Sequence, residues 1–363
     1  MTPVRAALLL LLLRAAALCL AAAGAGAGAE MHEFTLAAPA AREVFLAGDM
    51  TGWDAGKRAM QRGADGLWRV QVDLAPGEWV YKFIVDGRWI ADPGPVDRDA
   101  DGQGGQHSFL FVGAGDWSEP PAGVARGRVD THQVPSAAWG RPMTVHVYLP
   151  PGAAKGAPLP VLWLLHGSGM DADQWLRTGR IDRYMDNLIA RGAIRPFAIV
   201  MPSSADLPYI GASDRFIADE LPAWLAATYG LQPGPAQTGV AGMSMGGTGA
   251  LRLPLAHPGR YGVAVALSGY YGDAQIAALP RTDPLPMQTV LLCGRDDDLV
   301  VTNRALVAAL DARHARFYYR EDEGAHTWQY FSRRTVEMLT AADAFFATGE
   351  VRPAPNHRGP AAP

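Results

Sequence analysis

The sequence is almost without cysteine: of 363 residues only Cys19 and Cys293 carry a thiol. Cys19 lies in an N-terminal segment that reads as a removable leader, so the mature chain keeps one thiol and forms no internal disulfide. Cys293 ends an apolar run, Val290-Leu291-Leu292, and reads as a buried small hydrophobe rather than a nucleophile. Lysine is also scarce, and the formal charge of −4 offers no basic face for nucleic acid. No His or Cys cluster has metal-ligand spacing, so neither a zinc site nor another cofactor is expected. One long apolar run exists, at 6–23, and Arg14 interrupts it, which leaves it short for a membrane span. With Arg5 before it and Ala27-Gly28-Ala29 after it, the segment 1–29 reads as a signal peptide cleaved ahead of Glu30. Loss of Arg5 and Arg14 takes the charge to about −6. The expected location is secreted or periplasmic, with no stable membrane span after cleavage.

What remains divides in two. Short alternating runs at 42–46, 67–74, 79–85 and 108–112 are separated by Gly52-Trp53-Asp54, Ala64-Asp65-Gly66, Ala75-Pro76-Gly77 and Asp86-Gly87. Strands at that spacing predict a small β-sandwich over 31–113. A Gly-, Pro- and Ala-rich linker follows at 114–128. From 129 to 349 the pattern alternates between buried strands and helices. Strands are expected at 144–149, 159–165, 197–201, 263–267, 289–292 and 316–320, and helices at 180–191, 216–228, 303–315 and 332–346. That alternation predicts an α/β domain built on a mainly parallel sheet. The Pro/Ala-rich tail 350–363 reads as disordered.

The chemistry centres on Gly242-Met243-Ser244-Met245-Gly246, which sits between a β-rich run and a helix-compatible run. Strand, tight turn and helix around a serine form the nucleophile elbow of an α/β-hydrolase. A serine hydroxyl needs a base and a group to orient that base. His326, in a Gly-containing loop before the last helix, stands where the base belongs. The acid belongs after the strand ending at Cys293, within Asp296-Asp297-Asp298; Asp297 is favoured, with Asp298 second. Two amides are candidates for the oxyanion hole, those of Met245 and Ser168, and His166 reads as a structural lock on the Ser168 loop.

These residues carry a resemblance. Val147-Tyr148-Leu149-Pro150-Pro151-Gly152, Trp163-Leu164-Leu165-His166-Gly167, the Ser244 pentapeptide, Cys293-Gly294-Arg295-Asp296-Asp297 and Gly324-Ala325-His326 resemble one bacterial esterase family. It includes esterase D, feruloyl esterases, siderophore esterases and mycolyltransferases, and its acid falls on Asp297. The earlier segment, through Val44 to Trp53 and Tyr81 to Trp89, resembles the glycogen-binding type of carbohydrate-binding module, an immunoglobulin-like sandwich. That resemblance implies sugar stacking on Trp53 and Trp89 and hydroxyl binding by Lys82. His107 departs from the module's pattern, where Asn is frequent.

The reading implied is a secreted serine esterase that removes feruloyl or acetyl groups from a carbohydrate, the module concentrating it on polysaccharide. Acyl transfer of the mycolyltransferase type is an alternative. A sugar-binding protein with an inert hydrolase domain is another, opposed by the complete triad. Siderophore ester cleavage is disfavoured because that group usually carries a different N-terminal domain. Specificity is assigned to the loop 203–215 with Tyr209, to Trp328 beside the base, and to 171–175 across from them.

Overall fold

The computed structural model describes residues 30–351, apart from 75–76, 95, 101–104, 113–121, 206–207 and 281–284. The expected leader therefore lies outside the described residues, as do 113–121 of the linker region and the tail from 352 on.

The N-terminal unit is a pair of antiparallel sheets. One orders β1 (Glu30–Ala37), β5 (Leu67–Leu74) and β4 (Gln61–Arg62). The other orders β3 (Arg58–Ala59), β2 (Val44–Gly48), β6 (Gly77–Val85), β9 (Gln106–Val112) and β8 (Asp97–Ala100), with β7 (Arg88–Ile90) hairpinned onto β6. Between them Phe34, Leu36, Leu46, Trp68, Val72, Leu74, Tyr81 and Phe83 form a core. The Asp86-Gly87 turn joins β6 to β7 with both residues at positive φ, as a tight hairpin requires.

The C-terminal unit is an eight-stranded sheet in the order β10 (Arg128–Val134), β11 (Met143–Leu149), β13 (Ala198–Pro202), β12 (Val161–Leu165), β14 (Thr238–Met243), β15 (Val263–Leu267), β16 (Gln288–Gly294) and β17 (Tyr318–Asp322). All pairs from β13 to β17 are parallel, and β10 and β11 are antiparallel additions at one edge. β12 explains why such strands read as unbroken apolar runs. Val161, Trp163 and Leu165 enter the core on one face, and Leu162 and Leu164 enter the core on the other. Helices cover both faces: α1 (Gln174–Arg177), α2 (Ile181–Ala190), α3 (Leu221–Tyr229), α4 (Met245–Ala256), α5 (Val300–Asp311) and α6 (Trp328–Thr348). This is the α/β-hydrolase arrangement. Among the described residues no helix is long and apolar enough to cross a membrane.

Three details depart from the sequence expectations. The helix expected over 216–228 is a π-helical turn at Phe216–Glu220 that runs into α3. The last helix begins at Trp328, four residues early, because the Thr327 hydroxyl caps it by accepting from the Tyr330 N–H. And the linker's last residue, Arg128, already belongs to β10, while Gly127 N–H is tied to Asp186.

The two units share a core. Strand β6 turns Tyr81 and Phe83 inward, but Val80 points to the opposite face. There Val80 and Phe109 join Trp328, Phe331 and Trp175 in one cluster, with α6 lying against β6. Arg177 adds a hydrogen bond from its Nη2 to the Arg98 carbonyl.

Candidate active site

Three loops leave the C-terminal ends of β14, β16 and β17 and converge at one rim of the sheet. Ser244 sits at φ 54°, ψ −122°, a strained conformation for a side chain, between β14 and α4. Its N–H is held by the Leu267 carbonyl (2.8 Å), and its carbonyl accepts from Thr248 N–H (3.0 Å). Gly246 is required at this crossing, since a Cβ there would collide with the Leu165 carbonyl.

Ser244 Oγ lies 3.0 Å from His326 Nε2, and His326 Nδ1 lies 2.8 Å from Asp297 Oδ2. The acid and base loops are stitched together by Arg295 N–H to the Asp322 carbonyl and Asp296 N–H to the Gly324 carbonyl. Phe331 stands edge-on to the imidazole at 5.2 Å. Asp297 is buried, whereas Asp296 and Asp298 are exposed, so of the three aspartates it is Asp297 that meets His326. Burial pushes the Asp297 carboxyl up, yet the His326 hydrogen bond and charge, with the Leu299 amide and the Ser268 hydroxyl, outweigh it and hold the pKa below the usual carboxylate range. An ionised carboxylate at Nδ1 fixes the proton there and leaves Nε2 as an acceptor facing the serine.

His166 is buried and bonded at both nitrogens. Nδ1 meets the Gly167 carbonyl (2.8 Å), a bond that requires the proton on Nδ1, and Nε2 then accepts from Ser204 N–H (3.0 Å). With the Gly167 carbonyl held by the ring, the Ser168 N–H of the same trans peptide points the other way. This loop lies against the nucleophile, because a Cβ on Gly167 would stand 3.5 Å from Ser244 Cβ. Cys293 is buried, and burial pushes its thiol up to about 12.

A cavity of about 680 Å³ opens beside Ser244, with Ser168 and Met245 at the same end. Tyr209 forms part of its wall but is itself buried: its hydroxyl donates to the His166 carbonyl, and its ring packs on Gly249. Trp328 is a correction. It is buried in the shared core, stacked edge-on against Trp175 at 5.5 Å, and is absent from the cavity wall. His326 lies in the loop before the extended cap residue Thr327, and Trp328 is the first residue of α6, so closeness in sequence says nothing of where Trp328 points. The segment 171–175 is likewise not in the wall; Trp175 is buried with its indole N–H on the Leu165 carbonyl. The wall instead includes Ile210, from the loop 203–215 assigned above, and Tyr270, both half exposed, together with Arg252; no motif in the sequence singles out the last two. A second cavity, about 650 Å³, lies at the opposite ends of the strands near Val161, Thr238 and Tyr261, and among its described lining residues there is no serine, cysteine or histidine.

In the N-terminal unit Trp53 and Trp89 lie near-parallel with ring centres 6.4 Å apart, and His107 approaches Trp53 at 4.8 Å. Trp89 is exposed, while Trp53 is half-buried against the shared core. Lys82 is half-buried on the same face of β6 as Val80. Asp49 accepts from the Trp53 indole N–H (3.0 Å) and from Val80 N–H (3.0 Å), and burial pushes its pKa up to about 6 despite both bonds. Ionisation above that value strengthens acceptance from the indole, so Trp53 fluorescence is expected to titrate with a midpoint near 6. Because the folded pKa is raised, this group makes the unit less stable as pH rises from about 4 through 6. A flat fluorescence profile in Asp49→Asn checks the assignment.

The comparisons follow the same division. Residues 136–342, more than half the chain, match the family model described as Esterase. The chain belongs to the Esterase family. Residues 35–118 match the model of the glycogen recognition site of AMP-activated protein kinase. Among curated relatives, this family member is 28% identical over 252 residues to an endo-1,4-beta-xylanase/feruloyl esterase of Xylanibacter ruminicola, covering 65% of this chain and 34% of that one. It is 25% identical over 219 residues to an acetyl esterase of Caldicellulosiruptor saccharolyticus, covering 48% and 80%. Thus the chain spans about a third of the length of the first relative. In fold it is similar to the enterobactin esterase FES of Shigella flexneri: TM-score 0.68, 18% identity, 87% of this chain and 96% of that one. Such coverage takes in the N-terminal sandwich, so a differing N-terminal domain does not separate this chain from that structure.

Proposed function

We propose that this Esterase-family chain is a serine carboxylic-ester hydrolase that removes feruloyl or acetyl groups from a carbohydrate. The observation that carries the reading is the unbroken hydrogen-bonded line from buried Asp297 through His326 to Ser244. In this reading Ser244 attacks the ester carbonyl as His326 Nε2 takes its proton, and Asp297 stabilises the imidazolium. The amides of Met245 and Ser168 receive the oxyanion, aided by the N-terminus of α4. His326 then protonates the departing alcohol, and water repeats the sequence on the acyl-enzyme.

Two relatives with feruloyl and acetyl esterase names support the acyl classes. The exposed Trp89 indole beside Trp53 supports a sugar contact on the N-terminal unit, with Lys82 nearby on the sheet face. The segment 1–29 supports export to the periplasm or beyond. A second reading, cleavage of aromatic siderophore esters, is favoured by the two-unit likeness to enterobactin esterase. A panel of acetylated xylan, feruloylated arabinose and a catecholate siderophore ester separates them by relative kcat/KM. With p-nitrophenyl acetate the purified chain is expected to release a burst of one p-nitrophenolate per molecule. Absence of turnover on every ester in the panel defeats the proposal.

A further inference from the structure

The cavity beside Ser244 runs lengthwise along one helix. Met245, Thr248, Arg252 and Ala256 line it at spacings of three or four, so they share the face of α4 that starts at the nucleophile. Leu251, Leu255 and Tyr270 make the wall largely apolar, and among the described residues of that lining Arg252 carries the one formal charge. Its Nη1 donates to the Tyr209 carbonyl at 2.8 Å and reaches Asp214 Oδ2 at 3.4 Å. Asp214 is itself held by His257 Nε2 at 2.6 Å. Those contacts use Nη1 alone among the donors of the guanidinium, and the side chain is 37% exposed.

Distance gives this cation a purpose. Seven residues of helix place the Arg252 backbone about 10 Å along the axis from Met245. Side chains on a helix lean toward its N-terminus, which brings the guanidinium back toward Ser244. An acetyl group on the serine fills only the near end of such a groove. A three-carbon chain with a ring at its end reaches across the apolar stretch to the arginine.

We propose that the groove holds the acyl half of the ester and that Arg252 is a specificity residue. It donates to an oxygen acceptor at the far end of an elongated acyl group, such as a ring oxygen on an arylpropenoyl ester. The inference rests on the ester-hydrolase reading above. An acyl group of the same length without the oxygen covers the remaining N–H donors of the guanidinium and gives them no acceptor, which a site built around a hydrogen bond rejects strongly.

The test compares methyl 4-hydroxycinnamate with methyl cinnamate on the full chain. The hydroxylated ester is expected to be preferred by about tenfold or more in kcat/KM. Arg252→Ala brings the ratio close to one, and Arg252→Met, which keeps most of the side-chain bulk, does the same if the alanine variant fails to fold. A ratio that stays at its original value in a folded variant overturns the proposal, as does a ratio near one in the unaltered chain. Calorimetric titration of the two free acids into Ser244→Ala reads the same preference without turnover, and adding Arg252→Met should remove it. If the acids bind with that preference but no ester is hydrolysed, the hydrolase reading fails and the groove assignment stands. If both esters are hydrolysed without preference, the hydrolase reading stands and the groove assignment fails.

Discussion

Replacing Ser244 by alanine is expected to lower kcat for any ester the chain turns over by roughly 10⁴- to 10⁶-fold, while the fold is kept. The effect is large because the hydroxyl is the group that His326 Nε2 contacts, at 3.0 Å, and removing it leaves nothing for the base to activate. The elbow should survive, since the strained backbone at residue 244 is held by amide and carbonyl bonds to Leu267 and Thr248 that alanine retains. The burst of p-nitrophenolate should vanish with the turnover. A variant with unchanged kcat and an unchanged melting curve would remove Ser244 from the mechanism altogether.

The second large effect is expected at Asp297. Asp297→Asn should lower kcat by about 10⁴-fold, or about 5.4 kcal/mol of barrier. An amide nitrogen opposite Nδ1 favours the tautomer with its proton on Nε2, where it cannot accept from the serine. Asp298→Asn changes an exposed neighbour and is expected to stay within about twofold of the original, so the pair of variants tests the assignment in one experiment. A pH dependence accompanies it. The Asp297 pKa is depressed in the fold, so its contribution to stability is complete above the ordinary carboxylate range and is lost as pH falls through the folded value. The stability difference between the original chain and Asp297→Asn should therefore shrink on acidification below about pH 4. Chemical denaturation at a series of pH values reads it directly.

The parts of this site legible from sequence are those written locally. A glycine-flanked serine between a buried strand and a helix has few conformations open to it, and β14, Ser244 and α4 follow. The strands at the middle of the sheet are apolar on both faces, so their runs stand out. β10 was missed for the converse reason: Arg-Val-Asp-Thr-His-Gln-Val is a half-exposed edge strand, and polar alternation is weak over so few residues. Arg252, Ile210 and Tyr270 meet only because the elbow helix and two separate loops are folded against one another, and no short-range pattern records that. Trp328 shows the reverse failure, a residue next to the base in sequence whose side chain belongs to the core. The run Trp79 to Val85 in β6 is apolar on both faces except at Lys82, yet nothing in it says that the second face would be covered by the final helix.

That two-sided strand bears on how a polymer would be held. With Trp53 partly taken up by the shared core, Trp89 is the more exposed indole of the pair, the one a sugar chain would meet on the proposed reading. One flat ring makes a weak, quickly released grip rather than an anchor. On the proposed reading, a catalyst tethered so lightly would step from one decorated residue to the next, its residence at each set by the chemistry at Ser244 instead of by the tether.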